Sequence, residues 1–195
     1  MLDVIADACP AGDVCLIGSM AMPGNADAFS DIDIRWTIPA REVSALLQSL
    51  RATLQRVGEV ESLRVDPGER TNTRLVFVRF QGWPLWWRVD LEIHSPRVER
   101  LGIPGADPWT PEESACMGVV VTLKALARRD PSAAESLLAR ALQRADATDV
   151  VGGWELRIDS LLDHIAASSP HTADLVFRTR QLAREVLSPQ GPAGV

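Results

Sequence analysis

Two aspartates one residue apart open an otherwise apolar segment in "SDIDIRW". On a strand, Asp31 and Asp33 project from one face and can converge on a single cation. Ile32 and Ile34 then take the other face, as packing against a helix requires. Carboxylates this close repel each other unless a divalent metal or a basic group neutralises them. Mg²⁺ sites in phosphoryl and nucleotidyl transfer use such carboxylates, with phosphate oxygens and water completing the shell. A bare D-x-D reads equally well as a solvated strand head, so the surrounding residues must decide.

Gly18 and Ser19 end the preceding apolar run, "VCLIGS". Glycine permits close backbone approach, and serine offers both its N–H and its hydroxyl to a phosphate. The turn is not a Walker-type loop, because G-x-x-x-x-G-K-[ST] is absent from the chain. A third acid stands in "WRVDLEI", where Val89, Leu91 and Ile93 form an apolar face. Trp86, Arg88, Asp90, Glu92 and His94 share the opposite one. Asp90 is thus a mid-strand carboxylate in a core-like segment, which is costly unless paired or metal-bound.

The elements that must position these residues alternate through the first half of the chain. Leu2 to Ala8 is a short amphipathic segment, followed by the "VCLIGS" strand and a strand over Asp31–Ile38 that stops at Pro39. Val43, Leu46, Leu47, Leu50, Leu54 and Val57 fall at helical spacing within Ala40–Gly58. "EVESLRV" is a further strand candidate. "RLVFVRF" (Arg74–Phe80) and "LWWRVDLEIH" (Leu85–His94) read as two strands joined through "QGWP". From Thr110 the pattern becomes helical. Thr110 and Asp130 stand as N-caps before Pro111 and Pro131, and two more helices are expected over Val151–Ser168 and His171–Leu187. The predicted architecture is α+β, with a mixed sheet flanked by helices over 1–105, a helical bundle over 106–188, and a disordered tail over 189–195.

Gly18-Ser19, then eleven residues, then Asp31-Ile32-Asp33, then a strand with "VDLEI" together resemble the nucleotidyltransferase superfamily typified by DNA polymerase beta. The likeness covers about residues 14–94 and is nearest in flavour to the minimal and antibiotic nucleotidyltransferases. It implies that Asp31, Asp33 and Asp90 bind two Mg²⁺ ions that bridge the triphosphate of ATP or another NTP, and that Gly18 and Ser19 hold the phosphates. An acceptor hydroxyl would then attack the α-phosphate and release pyrophosphate, so NMP, foremost AMP, passes to a small molecule of antibiotic type or to a protein. Many relatives carry Arg-Gly where this chain has Met22-Pro23 before Gly24. That departure keeps a second reading open, a regulatory nucleotide-binding module that partners another protein in the manner of an antitoxin.

Lys124 and Arg128, four apart on one predicted helix, could reach phosphates; the alternative is a solvated helix edge. Glu92 is a candidate base or support for Asp90, or an ion-pair partner of Arg88. The "WPLWW" tryptophans could stack a base, though tryptophan at strand positions more often packs in a core. His94, His164 and His171 lack metal-ligand spacing.

The bulk properties narrow the class. The net charge is −6, which supplies no general field for nucleic acid, although a local basic pocket is compatible with it. Nineteen of the twenty basic residues are arginine and Lys124 is the single lysine, a bias of coding more than of function. Three scattered cysteines, Cys9, Cys15 and Cys116, form neither a disulfide framework nor a zinc pattern, and read as reduced and mostly buried. The acidic N-terminus has no signal-peptide character and no apolar run is long enough for a membrane span, so a cytoplasmic protein is expected.

Overall fold

The computed structural model describes residues 1–188 apart from 23, 25, 69, 148 and 149. Pro23 and the expected disordered tail lie outside the described residues. The chain is α+β and divides into two compact units, Met1–Trp109 and Thr110–Val195.

The first unit comprises α1 (Leu2–Ala8), β1 (Asp13–Leu16), β2 (Ile32–Thr37), α2 (Val43–Gln55), β3 (Val60–Val65), β4 (Thr73–Phe80) and β5 (Val89–His94). The five strands form one mixed sheet in the order β1-β2-β5-β4-β3. Among these strands the β2–β5 pair is parallel and the other three pairs are antiparallel. Period-2 alternation decides the faces. Ile34, Trp36, Val89, Leu91 and Ile93 are essentially inaccessible, and pack in one core with Ile5 and the apolar stripe of α2, Val43, Leu46, Leu47, Leu50 and Leu54. The residues between them on β2 and β5 are left for the other face: Asp33, Arg35 and Thr37, and Asp90, Glu92 and His94. One face of the sheet makes the core, and the other carries charge.

Several boundaries differ from the sequence pattern. β5 begins at Val89, not Leu85, because Gly82 (φ +75°) and a Pro84 turn, closed by Trp87 N–H donating to the Pro84 carbonyl at 2.9 Å, hold the chain out of the ladder. Asp31 precedes β2. α2 begins at Val43, after a turn in which Glu42 N–H donates to the Pro39 carbonyl. Cys9 and Cys116 are buried, but Cys15 is exposed because it shares the polar face of β1 with Asp13.

The second unit holds α3 (Pro111–Ala127), α4 (Pro131–Arg144), α5 (Trp154–Ser168) and α6 (Ala173–Leu187). Thr110 Oγ1 accepts from Glu113 N–H at 3.3 Å and Asp130 Oδ1 from Ala133 N–H at 2.9 Å, so both Pro-led helices start on a side-chain cap, each worth about 1 kcal/mol. α3 packs against α4, α5 and α6 and is buried on most of its circumference. Gly118 permits the closest approach, since a Cβ there would stand 2.9 Å from the Cβ of Ala141 on α4. Among the described residues no helix is long and apolar enough to cross a membrane.

Candidate active site

The parallel register of β2 and β5 sets Asp33 directly beside Asp90. Both strand starts are fixed by backbone hydrogen bonds: Ile17 N–H donates to the Asp33 carbonyl at 2.9 Å, and Ile32 N–H to the Arg88 carbonyl at 3.0 Å. Like charges directly opposite on neighbouring strands are destabilising, so this pairing opposes stability.

Gly18 follows β1 with φ +65°, and a Cβ at that position would collide with Oδ2 of Asp33. Both the backbone conformation and the space therefore exclude a side chain. The missing methyl is what lets the Asp33 carboxylate lie against the Gly18-Ser19 turn, a short 3₁₀ segment over Gly18–Ala21 in which Ser19 is half-buried. Asp31 sits just before β2, close enough for its charge to act on Asp33 and on Arg88. The approach to Asp31 is clipped by a small network. Asp27 N–H donates to Ser30 Oγ, the Ser30 hydroxyl returns a bond to Asp27 Oδ1, and Phe29 N–H donates to the same oxygen, each at 3.0 Å. Ser30 is buried. The D-x-x-S spacing ahead of the acidic pair was the available signal for this clip, which the sequence reading passed over.

Arg88 is the principal residue whose part the sequence pattern missed: the pattern sets it on the polar face with Glu92 as its candidate partner, not Asp90. Its Nε donates to Asp90 Oδ1 at 2.5 Å and its terminal nitrogen to Oδ2 at 2.7 Å, a bidentate pair of the strongest hydrogen-bonded kind. The guanidinium also lies 4.5 Å from the centre of the Phe77 ring, on the strand beyond Asp90. The two side chains are only 18% and 16% exposed. Burial works against the Arg88 charge, but Asp90, Asp31 and Asp33 outweigh it and raise its pKa. The Asp33 pKa is raised as well, but for a carboxyl a raised pKa disfavours the charged form. Burial, then Asp90 and Asp31, lift its carboxyl above the usual range, and Arg88 offsets only part of this.

Carboxylate oxygens are the donor type that suits Mg²⁺, which favours hard oxygen ligands. The backbone brings Asp33 and Asp90 into adjacent register, and the glycine leaves Asp33 room. Among the described residues, however, no three His, Cys, Asp or Glu side chains converge as a metal cage. Asp90 presents its oxygens to Arg88.

Glu92 does not pair with Arg88. It accepts from Arg35 at 3.1 Å and lies 3.3 Å from His94 Nε2. Burial alone would raise the Glu92 carboxyl, but the hydrogen bonds from His94 and Arg35 hold it below its ordinary value. The tryptophans do not form one stack, and Trp86 lies outside the strand. Trp83 tilts against Phe80 at 4.7 Å between ring centres, and Trp86 stands edge-on to Phe29 at 5.0 Å. Trp87 donates from Nε1 to the Ala28 carbonyl at 3.3 Å. Trp86 and Trp87 thus brace the loop that delivers Asp31. Lys124 and Arg128 belong to the helical unit and do not share a solvated edge: Lys124 is 3% exposed, whereas Arg128 is exposed at the C-cap of α3. His164 lies on α5, and His171, in a 3₁₀ turn, lies 3.2 Å from Ser169 Oγ.

No protein-family model matches the chain, and no curated protein sequence matches it. Two solved structures resemble its fold. One is the GLD-2/RNP-8 complex, at 14% identity and a TM-score of 0.37 over 83% of this chain and 72% of the other. The second is an aminoglycoside 6-adenyltransferase from Bacillus subtilis, at 14% identity and a TM-score of 0.33 over 96% of this chain and 90% of that one.

Proposed function

We propose that the protein is a metal-dependent nucleotidyltransferase that moves NMP, from ATP foremost, onto an acceptor hydroxyl and releases pyrophosphate. The observation that carries this reading is the placement of Asp33 opposite Asp90 in register, with its carboxylate seated against the side-chain-free Gly18. A sheet does not set two carboxylates side by side for stability, so the arrangement calls for a ligand of opposite charge.

Asp31, Asp33 and Asp90 would hold Mg²⁺, and Gly18 and Ser19 the phosphates. Bound there, the metal would supply charge to the triphosphate and to the attacking and leaving oxygens. The chain's own part is orientation. The Asp27–Ser30 clip braces the approach to Asp31, the parallel register fixes Asp33 and Asp90, and Asp90 would help take the proton of the acceptor hydroxyl. Lys124 and Arg128 are retained, on the helical segment, as candidate phosphate-binding residues. The acceptor is a small molecule of antibiotic type or a protein. We assign the sheet-bearing segment 1–105 to this chemistry and 106–188 to a helical domain in a cytoplasmic enzyme.

The bidentate Arg88–Asp90 pair favours one competing reading, a module that binds nucleotide without turning it over. Thermal-shift titration with ATP, GTP, CTP and UTP, each with and without Mg²⁺, tests the enzyme reading without knowledge of the acceptor. The expected result is a Mg²⁺-dependent rise in Tm that is largest with ATP. A shift of equal size without metal, or none with any NTP, overturns it.

A further inference from the structure

Within the acidic end of the sheet, Arg88 does more than decorate the polar face. It takes both oxygens of Asp90 in a fork at 2.5 and 2.7 Å, and its plane rests on the Phe77 ring. Its own backbone carbonyl is tied to Ile32 N–H, immediately before Asp33, so the base of the side chain is fixed relative to both strands. The pair is four-fifths or more buried on each side. In this position the guanidinium provides what a divalent cation would provide, positive charge facing three carboxylates.

We propose that Arg88 is a positioning residue that acts as a built-in counter-cation: it neutralises the cluster and withholds Asp90 from metal until the incoming metal–nucleotide displaces it. The inference rests on the assignment of Asp31, Asp33 and Asp90 as the metal-binding set. Two physical arguments carry it. A carboxylate engaged at both oxygens by one guanidinium must give up those bonds before it can ligate a metal. A buried arginine does not lose its proton, so it cannot leave by neutralisation and must exchange partners instead. The triphosphate supplies such a partner, because Arg forks recognise phosphate as readily as carboxylate. No basic side chain stands between Gly18 and Asp31, and Arg35, two residues past Asp33, is paired with Glu92.

The test uses Mn²⁺ alone, without nucleotide, on the full chain, with affinity read by calorimetry and by the electron-paramagnetic signal of free Mn²⁺. Arg88→Met keeps the apolar stem over Phe77 and removes the fork. A hydrogen bond between charged groups is worth enough that its loss is expected to tighten Mn²⁺ by about tenfold. A merely structural arginine would weaken Mn²⁺ binding when removed, so the sign of the change separates the two roles. Arg88→Gln, which keeps polarity without charge, is expected to tighten Mn²⁺ as well and serves if Arg88→Met does not fold. Unchanged or weaker Mn²⁺ binding in a folded Arg88 variant overturns the proposal. Adding Asp90→Asn to Arg88→Met should abolish the gain, and a gain that survives without Asp90 overturns the proposal too. The assignment it rests on fails separately: Asp33→Asn would then leave Mn²⁺ binding in the wild-type background untouched.

Discussion

Two neighbouring rows on the same sheet face are built on opposite principles. In one, the β2–β5 register sets Asp33 beside Asp90; two residues further along the same strands it sets Arg35 beside Glu92. The second row is self-consistent: Glu92 is held by Arg35 and His94, and its carboxyl is stabilised as an anion. The first row is not, since Asp33 is half-buried beside two other acids and its carboxyl is pushed up. The same backbone therefore yields a closed ion pair in one register and an unbalanced charge set in the next. Stability explains the Arg35–Glu92 row. Only a bound cation, or a substitute such as Arg88, explains the other.

The largest expected effect breaks the acidic row outright. Asp33→Ala or Asp90→Ala should reduce nucleotidyl transfer by at least about a thousandfold, roughly 4 kcal/mol of activation free energy, while circular dichroism stays native. Near-wild-type turnover in either would remove the row from the chemistry. Gly18→Ala comes next, because it forces a side chain into a left-handed backbone and into the Asp33 carboxylate. The conformational part alone costs about 1–2 kcal/mol, so denaturant midpoints should fall and Mg²⁺-dependent nucleotide binding should weaken together.

A subtler effect has the opposite sign. The folded pKa of Asp33 is raised, so its contribution is stabilising below the carboxyl's ordinary pKa and is lost as pH rises through the folded value. Asp33→Asn should therefore raise Tm at neutral pH without divalent cations, by about 2 °C on the usual scale of a sub-kilocalorie change. The gain should vanish in melts run at acidic pH, where Asp33 itself is protonated. The smallest effect falls on the balanced row. Arg35→Ala removes a partly exposed pair, worth under about 1 kcal/mol and sensitive to salt, and should leave the metal-dependent thermal shift in place.

Much of the fold was legible because its signals are local. Alternation in "RLVFVRF" and "VDLEI", the α2 leucine spacing, and the Thr110-Pro111 and Asp130-Pro131 starts each depend on a few neighbouring residues, and each forms as its pattern requires. The start of β5 was misread because Pro84 and Gly82 impose turns on a segment whose composition is otherwise strand-like. In the site, the shared face of Arg88, Asp90 and Glu92 follows from period 2, but partner choice does not. Arg88 takes Asp90 because Arg35, arriving from β2, already meets Glu92, and that register is set by a strand some fifty residues away. The fit of Asp33 against Gly18 is likewise non-local, as is the separation of Trp83 from Trp86 and Trp87. The four-residue spacing of Lys124 and Arg128 could not show that Lys124 is buried while Arg128 is exposed, because burial of α3 depends on the helices packed around it.

The contrast between the two rows can be put to one direct measurement. Calorimetric titration of ATP, with and without Mg²⁺, would be run on the wild type, on Asp33→Asn and on Glu92→Gln. The account predicts Mg²⁺-dependent binding in the wild type, its loss in Asp33→Asn, and its retention in Glu92→Gln. Equal binding without Mg²⁺ in the wild type, or undiminished Mg²⁺-dependent binding in Asp33→Asn, would contradict it.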